Sequence, residues 1–138
     1  MATNFTYNRQ DASINPAALA LPDAASGVVN TASIDLAAHE NFLADCEFEI
    51  GAPAMNVTML PNADTATFSV QDSANDASFT EILDQVLVQL GAGGVGAVAQ
   101  TQRFRVPTDV RQYVRVTCTL SSGCTDSSAV TYTLKAMF

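Results

Sequence analysis

The stretch Tyr113-Val-Arg-Val-Thr-Cys-Thr-Leu120 alternates strictly between two kinds of side chain. Its even positions are apolar, whereas its odd positions are threonine, arginine or tyrosine. Because successive side chains of a β-strand point to opposite faces, this pattern predicts a strand with one buried and one solvated face. Val116 stands in the middle of the apolar set, so we expect it to lie in the core.

The same period of two recurs in four other segments. They are Cys46–Ile50 (CEFEI), Met55–Leu60 (MNVTML), Thr65–Gln71 (TATFSVQ) and Val130–Phe138 (VTYTLKAMF). Turn-forming residues, above all proline, glycine and asparagine, lie between them. Strands that are apolar on one face only favour antiparallel sheets that are solvated on one side. The sequence therefore predicts an all-β fold, an antiparallel two-sheet jelly roll, over residues 34–138.

One segment, Phe79–Leu90, is compatible with two structures. Its apolar residues fall at helical spacing, and Ser78 with Glu81 matches the capping box that begins many helices. The end of the segment, Val86–Leu90, also fits an apolar strand. We expect a helical turn over residues 79–83, followed by a strand.

Residues 1–33 have weak periodicity and many alanine, asparagine, serine and aspartate residues. The piece INPAALALPDAASG contains two prolines and a glycine, which favours an extended course over a packed unit. We therefore interpret residues 1–33 as an extended N-terminal arm in front of the jelly roll. Such an arm either lies along a partner, through Phe5, Tyr7, Arg9 and Leu19, or is a disordered tail.

The composition favours a single domain that works in an assembly. The chain has 138 residues and a formal net charge of -8, and only 14% of its residues are charged, against about 25% in typical domains. The acid excess argues against nucleic-acid binding, which depends on neutralising phosphates. The longest apolar runs are too short to span a membrane, and the first residues lack the apolar core of a secretory signal. We therefore expect synthesis in the cytoplasm and protein partners.

The sequence contains no recognisable catalytic or metal-binding constellation. Gly91–Gly96 (GAGGVG) matches the dinucleotide-binding pattern, but the next strand follows too soon for a crossover helix. His39 is the only histidine and has no nucleophile motif near it. The cysteines Cys46, Cys118 and Cys124 fit no zinc spacing, although a hairpin could bring the last two together. The sequence therefore predicts a non-enzymatic protein without a cofactor.

Four of the six positive charges lie between Arg103 and Val116, in RFRVPTDVRQYVRV. The alternation places all four on polar faces, and arginine and tyrosine are enriched at protein interfaces. The alternative is that these arginines pair with carboxylates of the chain itself. Glu47 and Glu49, which share the polar face of one strand, are expected to be solvated. The candidate interface residues are Arg103, Arg105, Arg111, Tyr113 and Arg115.

The segment FRVPTDVRQYVRV, with a Gly/Ala-rich loop before it and TCTLSS and SSAVTYTL after it, resembles the C-terminal half of small capsid cement, or decoration, proteins of tailed phages. SIDLA at Ser33–Ala37 and FSVQDS at Phe68–Ser73 match in the same order. The similarity spans about residues 33–138 and is greatest to the jelly-roll cement family of Bordetella-type podovirus capsids. One departure is Gln112, which separates Arg111 from Tyr113 where the family has an adjacent Arg-Tyr pair.

The resemblance implies a jelly roll that binds the outside of an icosahedral shell of major capsid protein as a homodimer. Such a protein reinforces the shell on the virion exterior and does not contact the packaged DNA. The alternative is a carbohydrate- or receptor-binding jelly-roll module. That alternative requires aromatic residues clustered in loops, and the chain has no tryptophan and three tyrosines.

Overall fold

The computed structural model describes residues 18–36 and 47–137, and these ranges form nine β-strands and no α-helix. The strands are β1 (Leu19–Ala20), β2 (Val28–Asn30), β3 (Ile34–Asp35), β4 (Glu47–Ala52), β5 (Thr65–Ser73), β6 (Thr80–Leu90), β7 (Gln100–Phe104), β8 (Tyr113–Leu120) and β9 (Thr131–Met137). No helix in these ranges is long and apolar enough to cross a membrane.

The strands form two antiparallel sheets. Sheet 1 has the order β1-β9-β4-β7, and sheet 2 has the order β2-β8-β5-β6, with β3 also paired to β8. Every strand pair is antiparallel. The prediction of an all-β fold with two antiparallel sheets is therefore confirmed.

The strand pairs are nested around the turn at residues 74–79. This turn joins β5 to β6; β4 then pairs with β7, β2 and β3 with β8, and β1 with β9. Because the strands alternate in direction, the loops β1–β2, β4–β5, β6–β7 and β8–β9 all meet at one end of the body. The β5–β6 and β7–β8 loops lie at the opposite end.

The core lies between the two sheets and contains the inward side chains of both. Phe68 on β5 and Tyr132 on β9 meet edge to face with ring centroids 5.4 Å apart, which joins sheet 2 to sheet 1. Val116 and its three apolar neighbours of the same parity on β8 are buried. The strand faces predicted for residues 113–120 are therefore confirmed.

The helical turn predicted over residues 79–83 is wrong, because β6 is a strand along its whole length. Its ladder with β5 shifts register: Val70 faces Leu83, whereas Phe68 faces Leu87. A step of two residues along β5 therefore corresponds to a step of four residues along β6. The extra residues of β6 form a β-bulge, within which Gln85 has a φ of 50°. The bulge interrupts the period of two in β6, so its apolar residues fall at a spacing that imitates a helix.

The strand predicted at residues 55–60 is a loop instead. The side-chain Oδ1 of Asn56 accepts the backbone N–H groups of Thr58 at 2.9 Å and Met59 at 3.0 Å. This Asx-type turn competes with strand pairing, so only Met55 keeps a bridge, to Ala97. The alternation of apolar and polar residues in this segment therefore does not indicate a strand, because the segment forms a turn.

The described part of the predicted arm belongs to the body. Leu19 pairs with Tyr132, Val28 pairs with Thr119, and the side chain of Leu21 is only 1% exposed. Burying Leu21 requires β1 to lie against the core, so the arm interpretation is corrected for residues 18–33. Residues 1–17 lie outside the described ranges, and for them the arm stays a prediction.

Candidate functional site

Two of the predicted interface arginines, Arg103 and Arg105, pair with carboxylates on the neighbouring strand. Arg103 Nε donates to Glu49 Oε2 at 3.1 Å, and Arg105 Nε donates to Glu47 Oε1 at 3.2 Å. In the sheet register Glu49 lies between Arg103 on β7 and Lys135 on β9, so charges alternate across three strands. Pairs this exposed contribute about 0–1 kcal/mol each. Their main effect is to neutralise the outer face of sheet 1.

Arg111 binds the buried carboxylate of Asp72. Its backbone N–H donates to Asp72 Oδ2 at 2.9 Å, its Nε donates to Oδ1 at 2.8 Å, and its Nη2 donates to the backbone oxygen of Asp72 at 2.9 Å. These contacts fasten the β7–β8 loop to the end of β5. The side-chain hydrogen bond from Arg111 is the main cause that lowers the pKa of Asp72, against the opposing effect of burial.

Arg115 crosses from β8 to β5 and β6. Its Nε donates to Gln71 Oε1 at 2.8 Å, and its guanidinium lies 3.8 Å above the centroid of the Phe79 ring. Desolvation in this position lowers the pKa of Arg115. The arginine thus secures the start of β6 through a cation–π contact.

The structure brings Arg103, Arg105, Arg111, Tyr113 and Arg115 to the same end of the body. Each of these four arginines has a partner within the chain, which is what the alternative of intramolecular pairing predicts. The Tyr113 hydroxyl accepts a hydrogen bond from the side-chain amide of Gln112 at 3.3 Å. Arg103 and Arg105 remain more than half exposed, so their role in binding a partner stays a prediction. Five residues singled out from the sequence lie outside the described ranges: Phe5, Tyr7, Arg9, His39 and Cys46.

The exposed apolar residues lie at the other end, which the sequence analysis did not single out. Within the described ranges there are six large ones: Val28, Val57, Val88, Leu90, Val95 and Val98. All six belong to, or adjoin, the loops that meet at one end of the body, which we call the apolar end. The sequence does contain one indication of this surface: Val95 lies within GAGGVG and Val98 just after it, and valine is not expected in a loop that is simply flexible and solvated.

The loops of the apolar end are linked to one another by hydrogen bonds. Met55 and Ala97 exchange two backbone hydrogen bonds of 2.9 Å, and Thr125 N–H donates to the Met59 oxygen at 3.3 Å. Beneath them, the buried amide of Gln89 donates to the backbone oxygens of Pro53 at 2.7 Å and Val98 at 3.0 Å. The buried side chain of Gln89 therefore adds a second link between the β4–β5 and β6–β7 loops.

The apolar end carries two separate patches. The first, the face patch, comprises Val28, Val88 and Leu90 on the outer face of sheet 2. The register places Val28 beside Thr119, Thr119 beside Thr67, and Thr67 beside Val88, so the row between the valines is uncharged. Such a row can be desolvated against another protein at little electrostatic cost.

The second patch is a groove of about 500 Å³ between the β4–β5 and β6–β7 loops. None of its lining side chains ionises: they are Ala54, Met55, Asn56, Met59, Val95, Gly96, Ala97, Val98 and Val130. Gly96 has a φ of 83°, and a Cβ there would lie 2.0 Å from the Met55 oxygen. The groove therefore depends on glycine at position 96, and its chemistry suits an apolar group.

The ionisable side chains of the four loops at the apolar end, within the described ranges, are Asp23, Asp64, Asp126 and the thiol of Cys124, with no lysine or arginine. Asp64 accepts hydrogen bonds from Ser121 Oγ at 2.7 Å and Gly123 N–H at 3.1 Å. The Ser128 hydroxyl and N–H lower the pKa of Asp126. These aspartates make the apolar end negative.

Among the described residues, no group of three His, Cys, Asp or Glu side chains is placed to hold a metal ion. Burial raises the pKa of the Cys118 thiol to about 12, so that side chain is a neutral part of the core. Neither Cys118 nor Cys124 forms a disulfide.

The sequence matches no protein-family model, and a search of curated proteins finds no match to it.

Proposed function

We propose that this protein is a jelly-roll cement protein that binds the outer surface of a tailed-phage capsid shell and stabilises it, without catalysing a reaction. The nested strand pairs support the jelly roll. Counting β2 and β3 as two parts of one strand along β8, eight strands divide into sheets of order β1-β9-β4-β7 and β2-β8-β5-β6. Two Greek keys wound together produce this order.

The observation that carries the function is the separation of apolar and positive surface. The six exposed large hydrophobic residues of the described ranges lie at one end, whereas the four arginines of those ranges and Lys135 lie toward the other. Because the loops of the apolar end are linked by hydrogen bonds, this end offers preformed contact area, which lowers the entropic cost of binding another protein. Its negative charge makes nucleic acid an unsuitable partner.

In this proposal the face patch contacts the major capsid protein. An uncharged row flanked by Val28, Val88 and Leu90 resembles the centre of a protein interface, where charged residues are depleted. Binding only the assembled shell would stabilise it by mass action, and a homodimer would double the contacts of each bound unit. The weakly charged surface of the chain supports such association.

The test is to mix the purified protein with empty, undecorated podovirus shells and to image them by electron microscopy. Ordered additional density on the outside, together with an increased melting temperature of the shells, is the expected result. If the wild-type protein adds no density and does not sediment with shells, the cement function is wrong.

A matched pair of variants tests the face patch. Leu90→Asp places a carboxylate in the contact and should weaken shell binding about tenfold or more, because a charge would be desolvated without a partner. Ala77→Asp adds the same charge to the exposed turn at the opposite end and should bind shells like the wild type. Equal binding of both variants would exclude the face patch while leaving the cement function intact.

A further inference from the structure

The groove at the apolar end has a candidate occupant within this chain. We infer that it binds the segment at residues 1–10, through the side chains of Phe5 and Tyr7. This inference goes beyond the proposed function and does not depend on a capsid. It assigns the predicted arm a docking site, and three properties of the chain support it.

The first property is reach. Three pieces of chain lie outside the described ranges: residues 1–17, 37–46 and 138. Residues 37–46 connect β3 to β4 at the end opposite the groove, so even their midpoint extends only about 17 Å at ~3.4 Å per residue. The eight-residue strand β8 alone spans about 27 Å. Residue 138 directly follows β9 at that same far end.

Residues 1–17 are long enough to reach the groove. Tyr7 precedes Leu19 by twelve positions, and an extended chain of that length covers about 40 Å at ~3.3 Å per residue. Leu19 at the start of β1 pairs with Tyr132, the second residue of β9, and Val130 just before β9 lines the groove. The segment therefore joins the body near the groove, and it can turn back into the groove of its own body or enter the groove of a neighbouring copy.

The second property is shape and polarity. Phe5 and Tyr7 are two positions apart, so an extended segment presents both rings on the same side. The groove, about 500 Å³ in volume and lined by uncharged and mainly apolar side chains, falls within the size range of pockets that bind small apolar groups. Val95 and Val98, about three-quarters exposed, form rims that such rings would cover.

The third property is charge. Residues 1–10 contain one side chain that is charged at neutral pH, Arg9, and no carboxylate. The loops around the groove contain aspartates and no lysine or arginine within the described ranges. Opposite charges therefore favour the approach of this segment to this end of the molecule.

The test uses the full-length chain with labelled valine, leucine and methionine methyl groups, observed by NMR. Phe5→Ser combined with Tyr7→Ser should shift the Val95 and Val98 methyl signals and abolish their cross-peaks to aromatic ring protons. Asn4→Ser combined with Asn8→Ser keeps both rings and is the matched control, whose groove signals should equal those of the wild type. Both pairs of changes lie outside the described body, so its remaining methyl signals report whether it stays folded.

Mixing identifies which copy supplies the segment. Unlabelled wild-type protein added to the labelled Phe5→Ser/Tyr7→Ser variant restores the wild-type signals if the segment comes from a second copy. Unchanged signals on mixing assign it to the same chain, and either result supports the docking. Identical Val95 and Val98 signals in the wild type and the aromatic double variant would overturn the inference, as would cross-peaks from these methyls to Phe42.

Discussion

Asp72, 3% exposed at the end of β5, receives both the guanidinium and the backbone N–H of Arg111. A carboxylate so deep in the protein is stable only when its oxygens are hydrogen-bonded. The pair therefore holds the β7–β8 loop against sheet 2. It also gives a structural role to Arg111, one of the few positively charged residues in this acidic chain.

Asp72→Asn should lower the free energy of unfolding by about 1–3 kcal/mol, because the N–H donors of Arg111 lose their charged, buried acceptor. Urea denaturation monitored by circular dichroism measures the change. Asp109→Asn alters an exposed carboxylate in the loop that Arg111 anchors and should change the unfolding free energy by no more than about 0.5 kcal/mol. Equal effects of the two substitutions would contradict the assigned role of Asp72.

The contribution of Asp72 should disappear in acid. Because Arg111 lowers the pKa of Asp72 below its ordinary value of 3.8, the folded state binds the proton more weakly than the unfolded state. The stabilisation is therefore complete at pH values well above 3.8 and is lost as the pH falls through the folded-state pKa. The unfolding free energies of wild type and Asp72→Asn, measured over this range, should converge only on the acid side of 3.8. A difference that stays constant throughout would argue against an ionised Asp72.

Arg115→Ala should destabilise the fold by about 0.5–1 kcal/mol, the usual strength of a cation–π contact near the surface, since it removes the contact with Phe79. Arg115→Lys keeps the charge but cannot reproduce the planar stacking, so it should recover only part of the loss. Chemical denaturation compares the three proteins. Shell binding measured in parallel tests the interface role predicted for Arg115: normal binding by Arg115→Ala would leave that residue with a structural role alone.

Gln89→Leu should loosen the apolar end. The substitution leaves the backbone oxygens of Pro53 and Val98 without their donor and should cost about 1–3 kcal/mol of unfolding free energy. Hydrogen exchange of the amides in residues 53–59 and 92–98 should accelerate. Gln102→Leu, on the exposed edge strand β7, should leave both measurements unchanged. Unaltered exchange in Gln89→Leu would show that other contacts suffice to hold the loops.

Removal of residues 1–17 should leave a folded body, because the described core begins at β1. Removal of residues 1–30 should unfold it, since it deletes β1, β2 and the buried Leu21. Circular dichroism and thermal melting of the two truncated proteins distinguish these outcomes. A cooperative transition in the shorter protein would show that Leu21 is dispensable.

Period-two alternation was sufficient to predict the fold class and most strand faces. It identified the buried side of β8 and of β4, because each of these strands has a single solvated face and an unbroken ladder. It failed at β6, where two register shifts against β5, at Phe68/Val70 and at Val70/Gln71, interrupt the alternation. It failed again at Asn56, whose side chain closes a turn that a list of apolar positions does not reveal.

The candidate site was predicted less well, for a physical reason. Arginine and tyrosine are enriched at protein interfaces, so the segment RFRVPTDVRQYVRV was predicted to be an interface from its residue types alone. The partners of its arginines, such as Asp72 and Glu49, come from distant parts of the sequence and could not be identified from it. The apolar end gathers single valines from several loops, and one exposed valine has no significance by itself. Only the nested pairing of strands brings these residues to one place.

The path of β9 has a practical consequence. This strand begins among the loops of the apolar end and finishes beside the arginines. If the shell is held through the apolar end, any polypeptide genetically attached behind β9 would project outward from the particle. In that case the end of β9 would face away from the shell, a position suited to the multivalent display of fused enzymes or antigens.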